Sequence, residues 1–463
     1  MSLYYPQASV ILKVIFEDFK GNTKTADLKT IYKLPIIARD VEVCINDYTQ
    51  ADTFSMEIDY KNFPFDPRCI RSCGVSIFIQ DMGSVFQAGN ALNTIEPDAD
   101  NIVFQGFADE DSITFDEEHR AVRLEGRDFT GLMTDLKAPA VAISTDVPLD
   151  TLINSFLQSN ESLREIKVDN RTNELLPTVA DYAPGFLPQQ TKKNPRPNES
   201  LWDLLTELVS QAALICYVEI DKLVITKPRL LYGRAKVKQF IYGHNIQTLE
   251  FKRKLGRKKG YNIRCISLNG KTVESAEIPR ESTKAWSDSI GIAQSDVTIP
   301  QIAADGSPAN PILAPFVTFR FPNKTKQFLI EKGQSIYEEV GRQQIEGSLT
   351  TKEMEIAELT EKSKDFVSFN ATQMRNGTPI EIGIEQGDLA GMSELKTSSQ
   401  RESFLEHRGY QPNVAKAFAR SFGQFKSKFY TKAVTFTLNQ ESGFKMKVDF
   451  INFIELENEG LKS

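Results

Sequence analysis

The stretch from Asn101 to Asp135 constrains the fold of this chain more than any other stretch does. Ile113 and Phe115 fall on one face of the chain before a short polar turn. Val122 and Leu124 fall on one face after it. A period of two is typical of half-buried β-strands. The stretch therefore predicts a long β-hairpin.

The predicted hairpin stops at a Gly-Arg-Asp corner at residues 126–128 and is followed by a short helix at residues 130–136. The apolar residues change parity between Phe104 and Phe107. An extra residue in a strand produces such a change, and glycine is common where this happens. The pattern therefore predicts a β-bulge at Gly106.

The composition is that of an ordinary globular protein, with 40% hydrophobic and 25% charged residues. Its 463 residues predict about three domains. The net charge of −7 argues against a protein whose main surface binds nucleic acid. The N-terminal residues lack the pattern of a signal peptide, and no apolar run approaches the roughly 20 residues of a membrane span.

Five cysteines are scattered along the chain: Cys44, Cys69, Cys73, Cys216 and Cys265. Their odd number and irregular spacing predict reduced, buried thiols in a protein made in cytoplasm. Cys69 and Cys73 could form half of a metal site, but no second pair of cysteines or histidines lies near them in the sequence. A structural zinc site usually needs four ligands. We therefore expect no metal and no cofactor.

Three segments with different patterns follow one another. Residues 1–137 contain about six alternating strands and predict a small β-barrel or sandwich. Residues 138–235 predict a compact α+β insert, with helices starting near Pro148 and Ser200. Residues 236–460 return to strands and predict a second β unit with an inserted arm and helices. The predicted fold class is a β-rich α+β protein.

The second β unit is predicted to contain irregular and helical segments. Residues 287–315 are rich in proline and small residues and predict a long irregular arm. The apolar spacing in residues 327–349 predicts a helix, and residues 390–403 predict a polar loop. Residues 434–450 alternate and predict a closing hairpin that turns at residues 441–443.

The strongest run of positive charge lies at residues 252–259 and has two interpretations. It could contact phosphates. It could instead be a solvated hairpin tip or a contact to an acidic partner. We favour the second interpretation because no aromatic side chains alternate with the basic ones, as they do in platforms for single-stranded nucleic acid.

The order of these parts resembles the central hub proteins of phage tail baseplates, including the late-control hub family of contractile-tailed phages. The resemblance covers nearly the whole chain. It depends on the hairpin corner, on the helix at residues 198–208 followed by strands at residues 217–228, on the strand at residues 261–267 after a basic turn, and on the closing helix and hairpin. The positions that carry it are Gly126, Arg127, Asp128, Trp202, Pro228, Asn262 and Gly443.

The resemblance implies a structural protein without catalysis. Family members form a trimeric ring whose chains each contain two barrels similar to the tail-tube fold, so that the ring joins a hexameric tube to a central spike. The implied partners are further copies of the chain, the tail tube protein and a separate spike protein, with tape-measure and baseplate wedge proteins as further candidates. DNA would pass through the ring in transit, and the protein would reside in the virion.

Two other classes stay open at this point. A β-rich tail enzyme that cleaves cell walls or glycans would need two carboxylates about 5 to 10 Å apart in a cleft. The acidic residues near the hairpin, such as Asp109 and Glu117, are the candidates, although charged residues usually lie on solvated faces. An adhesin would bind sugars through tyrosine and tryptophan. A turbidity assay on cell walls and a glycan array separate these classes from a structural protein.

Overall fold

The structure of the protein is a computed structural model. The residues described are 6–16, 29–31, 36–63, 70–81, 101–109, 112–116, 118, 120–138, 146–172, 174–178, 199–227, 237–241, 245–253, 262–269, 272–278, 316–321, 324–342, 345–358, 367–383, 394–409, 412, 415–416, 419, 427–439 and 441–452. The predicted arm at residues 287–315 and all but the first two residues of the basic run at residues 252–259 lie outside them.

The described residues of the first β unit form eight strands: β1 (Pro6–Phe16), β2 (Lys29–Ile31), β3 (Ile36–Ile45), β4 (Thr53–Asp59), β5 (Ile70–Asp81), β6 (Ile102–Ala108), β7 (Thr114–Asp116) and β8 (Ala121–Asp128). Six of them pair antiparallel in the order β3-β4-β8-β6-β5-β1, and β1 pairs back onto β3. This pairing closes a barrel, while β2 and β7 extend from it. Closure leaves no unpaired edge within the six strands.

The alternation that predicted strands also fills the barrel. Along β4 the buried residues are Phe54, Met56 and Ile58, and every residue between them is partly exposed. On β8 the side chains of Val122 and Leu124 are fully buried. The hairpin of β7 and β8 is therefore confirmed.

The predicted bulge at Gly106 was wrong. Gly106 pairs regularly with Val75, and the register between β5 and β6 shifts at Val103 instead. Val103 and Phe104 are both buried, so the parity changes between these two neighbours. Phe107 then lies outside the barrel, where its ring packs edge-on against that of Phe129 at 5.3 Å between centroids.

An α+β insert follows the first barrel. Its elements are α1 (Phe129–Asp135), α2 (Leu149–Ser159), β9 (Lys167–Asn170), α3 (Leu201–Gln211), β10 (Ile215–Glu219) and β11 (Lys222–Thr226). The strands form a sheet in the order β10-β11-β9, in which β9 runs parallel to β11. The predicted start of a helix near Ser200 is confirmed, since Ser200 and Asp203 form a reciprocal capping box at the start of α3.

A second small α+β module interrupts the second β unit. After β12 (Lys238–Ile241) and β13 (Thr248–Arg253) come β14 (Asn262–Asn269), β15 (Thr272–Ile278), β16 (Phe316–Arg320) and α4 (Lys326–Arg342). The sheet order is β15-β14-β16, and α4 packs against β14 and β15. The helix predicted at residues 327–349 is therefore correct up to Arg342, but Ile345 already belongs to the next strand.

The remaining elements are β17 (Ile345–Thr351), β18 (Glu355–Glu358), β19 (Val367–Asn370), β20 (Pro379–Gly383), α5 (Ser398–His407), β21 (Ser427–Asn439) and β22 (Gly443–Asn452). The polar loop predicted at residues 390–403 was wrong in its second half, where α5 begins with a capping box of Thr397 and Gln400. In the described residues of α5, Leu405 is the one that is buried. The helix therefore has no apolar face whose spacing could have predicted it from the sequence.

The long strand β21 joins the two β units. Its first residues pair with β20, and Val434–Leu438 pair with β3 of the closed barrel, while β22 pairs along its other edge. Buried residues of both units form one hydrophobic cluster. The fold class is thus confirmed as β-rich α+β, with a closed six-stranded barrel, an α+β insert and packed helices. The described strands of the second β unit pair in the order β19-β18-β12-β20-β21-β22-β17-β13 without a pairing between its two ends, so a second barrel stays a prediction. The boundaries at 1–137, 138–235 and 236–460 stay predictions.

Candidate functional site at the Gly-Arg-Asp corner

Two glycines allow β6 and β8 to approach each other closely at the corner. A Cβ atom on Gly126 would overlap the carbonyl oxygen of Phe107, and one on Gly106 would overlap the carbonyl oxygen of Arg127. These positions therefore accept no side chain. The close contact fixes the end of β8, from which α1 continues directly, against β6.

Arg127 ties the barrel to the end of α1. Its Nε donates to Asp109 Oδ1 at 2.9 Å, and its Nη2 donates to Asp135 Oδ2 at 2.7 Å. Gly131 lies beneath the side chain, because a Cβ atom there would be 2.6 Å from the Cβ of Arg127. The bonds to Asp109 and Asp135 raise the pKa of Arg127, so the guanidinium stays charged.

Asp128 directs the start of α1. Its carboxylate accepts hydrogen bonds from the backbone N–H of Thr130 at 2.9 Å and of Gly131 at 3.4 Å. Its own backbone N–H donates to the carbonyl oxygen of Asp52 at 3.0 Å. Only 4% of its surface is exposed. The residue that ends the barrel strand is thus also the N-cap of the first helix of the insert.

Asp128 belongs to a polar junction that we define by four residues: Asp52, Asp128, Glu219 and Arg375. They line a cavity of about 30 Å³ where the turn after β3, the start of α1, the end of β10 and the segment after β19 meet. The first barrel, the insert and the second β unit each contribute at least one of the four. A cavity of this size with polar walls can hold a water molecule.

Arg375 links the second β unit to the first barrel. Its Nη1 donates to the carbonyl oxygens of Thr372 at 2.7 Å and Met374 at 2.9 Å. Its Nη2 donates to the carbonyl oxygen of Ile102 on β6 at 2.8 Å. Burial lowers the pKa of Arg375, and the charges of Glu219 and Asp52 oppose part of this effect. Arg375 therefore contacts one unit through hydrogen bonds and two units through its charge.

Two carboxyl groups of the junction, those of Asp52 and Asp128, resist ionisation. Burial raises the pKa of Asp128 to about 7. Burial, followed by the negative charge of Asp128, raises the pKa of Asp52 well above its usual range. Two neighbouring carboxyl groups of low solvation favour a state in which at least one of them is protonated. Such a pair acts as a structural contact at neutral pH.

The other predicted positions do not gather here. Trp202 lies on α3, partly buried against the core of the insert, and Asn262 begins β14 opposite Phe316. Gly443 begins β22 in the left-handed region at φ +70°, where the turn of the closing hairpin favours glycine. Pro228 lies outside the described residues. The structure therefore distributes the predicted motif residues over several units.

Sequence reasoning missed Asp52, Glu219 and Arg375. Each lies next to a turn, and its partners are far away in the sequence, so no local spacing marks it. Metal-ligating residues do not cluster in the described ranges, where no group of three or more histidine, cysteine and acidic side chains could hold an ion. In the same ranges no helix is both long and apolar enough to cross a membrane.

Four of the five cysteines lie in the described residues as free thiols: Cys44, Cys73, Cys216 and Cys265. Burial raises the pKa of both Cys73 and Cys216 to about 12. The thiolate is the reactive form of cysteine, so these two side chains are inert components of the core.

No protein-family model and no curated protein matches the chain. Solved structures do. A tail protein from Neisseria meningitidis MC58 aligns with a TM-score of 0.50 and 11% identity over 96% of each chain. The 43 kDa tail protein of prophage MuSo2 from Shewanella oneidensis aligns with a TM-score of 0.50 and 12% identity, over 96% of this chain and 98% of its own.

The chain has the fold of these tail proteins. Because both alignments extend over nearly the full length of both chains, the likeness includes the insert and the second β unit as well as the closed barrel. At 11% and 12% identity the likeness concerns the fold alone. The polar junction and the Gly-Arg-Asp corner are thus features of this chain within a tail-protein fold.

Proposed function

We propose that the chain is a structural component of a phage tail and, more narrowly, the central hub of a tail baseplate. The observation that carries this proposal is the full-length likeness of its fold to two tail proteins. The role we propose is non-catalytic and located in the virion. The hub would form a homotrimer between the tail tube protein and a central spike protein, with tape-measure and wedge proteins as further candidate partners.

The way in which the two β units are joined supports the role of an adapter. The pairing of Val434–Leu438 with Val41–Ile45 makes one continuous sheet through both units, so their relative orientation is fixed by backbone hydrogen bonds. A ring of three such chains would present six barrel units at fixed angles. Six docking surfaces match a tube of sixfold symmetry, whereas the same ring retains threefold symmetry for a spike.

The net charge supports a role in conducting DNA. The chain carries 62 acidic and 55 basic residues, which gives a net charge of −7. A lining with excess positive charge would bind passing DNA through its phosphates and release it slowly. A ring of net negative charge lowers that affinity.

The first test of this proposal is the mass of the protein in solution. We expect a trimer of about 156 kDa from a chain of 52.1 kDa, because a head-to-tail interface whose rotation closes produces a ring. Light scattering after gel filtration over a range of concentrations measures it. A monomer at the highest concentration, unchanged after addition of the spike protein from the same tail, would contradict the hub assignment.

The second test concerns duplex DNA. We expect no binding at submicromolar protein in about 0.15 M salt, because the net-acidic chain has one short basic run and affinity falls steeply with salt. A gel shift with a duplex of unrelated sequence measures it, and the same mixture at low salt is the control. A shift that persists at the higher salt would argue for a DNA-binding surface instead of a passive conduit.

A further inference from the structure

The polar junction holds more negative than positive charge. Together with Arg171 and Asp169, which extend it at Glu219, the polar junction has four carboxylates and two arginines in the described part of the chain. Glu219 accepts two hydrogen bonds of 2.9 Å from Arg171, which also donates to Asp169 at 2.9 Å. Arg375 faces Asp52 and Glu219 through its charge. With all four acids ionised, the two arginines leave two negative charges without compensation.

The remaining titratable groups around the cavity do not supply that compensation. Asp47 follows β3 and faces Lys432, whose charge lowers the pKa of Asp47 while burial raises it by more. Tyr48 and Tyr217 also line the cavity. Burial raises the pKa of Tyr217 to about 12, so it stays neutral at physiological pH. The excess charge therefore falls on Asp52 and Asp128.

Asp52 and Asp128 are held together by the backbone. The N–H of Asp128 donates to the carbonyl oxygen of Asp52, and one oxygen of the Asp52 carboxylate accepts from the N–H of Asn46 at 2.8 Å. The carboxylate of Asp128 is fixed in turn by its bonds to the first turn of α1. Neither side chain can move away from the other without breaking these bonds, so a second negative charge has to be relieved elsewhere.

We propose that the polar junction is a pH-sensitive latch between the insert and the two β units. While Asp52 or Asp128 carries a proton, Glu219 at the end of β10 keeps its place in the wall of the cavity between the two units. When that proton is lost, the carboxylates of Asp52, Asp128 and Glu219 repel one another and the newly charged group requires hydration. Both effects loosen the insert. The element that moves is the edge of the insert, because β21 and β3 hold the two β units together by a sheet.

The direction of the pH effect follows from proton binding. An ordinary aspartate has a pKa of about 4, and burial raises that of Asp128 to about 7. The closed junction thus binds more protons than the opened one between these values, so its stability falls as pH rises through this window. A shift of this size increases the opened fraction about tenfold between about pH 6 and about pH 8.

Hydrogen exchange of the full chain tests the latch. Protection factors, with the intrinsic effect of pH on exchange divided out, are measured at about pH 6 and about pH 8 for β10 and for α1. We expect protection in these two elements to fall about tenfold. The hairpin of β21 and β22 serves as an internal reference and should keep its protection. Unchanged protection of β10 and α1 would overturn the proposal.

Two substitutions test which groups titrate. Asp128→Asn retains an oxygen for the helix cap, and Asp52→Asn retains an acceptor for Asn46, so both preserve geometry without the charge. We expect the double variant to lose the pH dependence, whereas Asp150→Asn on the surface of α2 should keep it. A double variant with the full tenfold dependence would overturn the proposal. If the double variant does not fold, the wild-type measurement decides: protection of β10 and α1 at the two pH values is compared with protection of the hairpin of β21 and β22.

Discussion

Alanine at Gly126 is expected to lower the free energy of unfolding by about 4 kcal/mol or more, enough to leave much of the chain unfolded. The added Cβ would overlap the carbonyl oxygen of Phe107 and lie 2.7 Å from Ala108 Cα and 2.8 Å from Phe54 Cε1. Two of these atoms are backbone, and the third belongs to a core ring. The closed barrel can therefore accommodate the methyl group only by separating β6 from β8.

Gly443→Ala is the matched control for this substitution. Gly443 also lies in a β-hairpin, but a Cβ atom there would meet nothing within 4 Å, and the backbone at φ +70° imposes the only strain. That strain costs about 1 kcal/mol. Urea denaturation followed by circular dichroism compares both variants with the wild type. Equal losses in the two variants would show that β6 and β8 are not closely packed at Gly126.

The first barrel and the insert were largely predictable because their signals are local. Alternation along β4 and β8 and the apolar spacing along α2 each fall within a dozen residues, and burial follows both patterns. The corner at Gly126 was predicted as the end of the hairpin. The reason why glycine is needed there was not predicted. The overlap with Phe107 depends on the neighbouring strand β6, and the spacing of apolar residues along the sequence does not show where that strand lies.

The features that escaped the sequence depend on contacts between distant segments. Pairing of β21 with β3 unites the two β units, yet each strand alone reads as an ordinary alternating strand. The sequence did not predict the module of β14 to β16 with α4 as separate from the second β unit, because β14 and β16 pair in parallel across a long connection. The polar junction likewise combines Asp52 with Arg375, and charged residues beside turns are usually solvated.

Methionine at Arg375 is expected to destabilise the protein by about 3 kcal/mol at neutral pH. Methionine retains much of the aliphatic volume but donates no hydrogen bonds, so the carbonyl oxygens of Ile102, Thr372 and Met374 lose this donor. Asp52 also loses a facing positive charge. The loss should combine three missing bonds with an uncompensated carboxylate, and urea denaturation measures it.

Arg123→Met is the control for Arg375→Met, because it measures how much stability is lost when an arginine on the barrel surface is replaced. Arg123 pairs with Glu57 on the barrel surface, and 56% of its side chain is exposed, so its removal should cost no more than about 1 kcal/mol. The two variants should also differ in pH dependence. Without Arg375 the carboxyl group of Asp52 is harder to ionise, so the Arg375 variant should lose more stability at about pH 8 than at about pH 6. Equal losses for both arginines at both pH values would show that Arg375 does not hold the three units together.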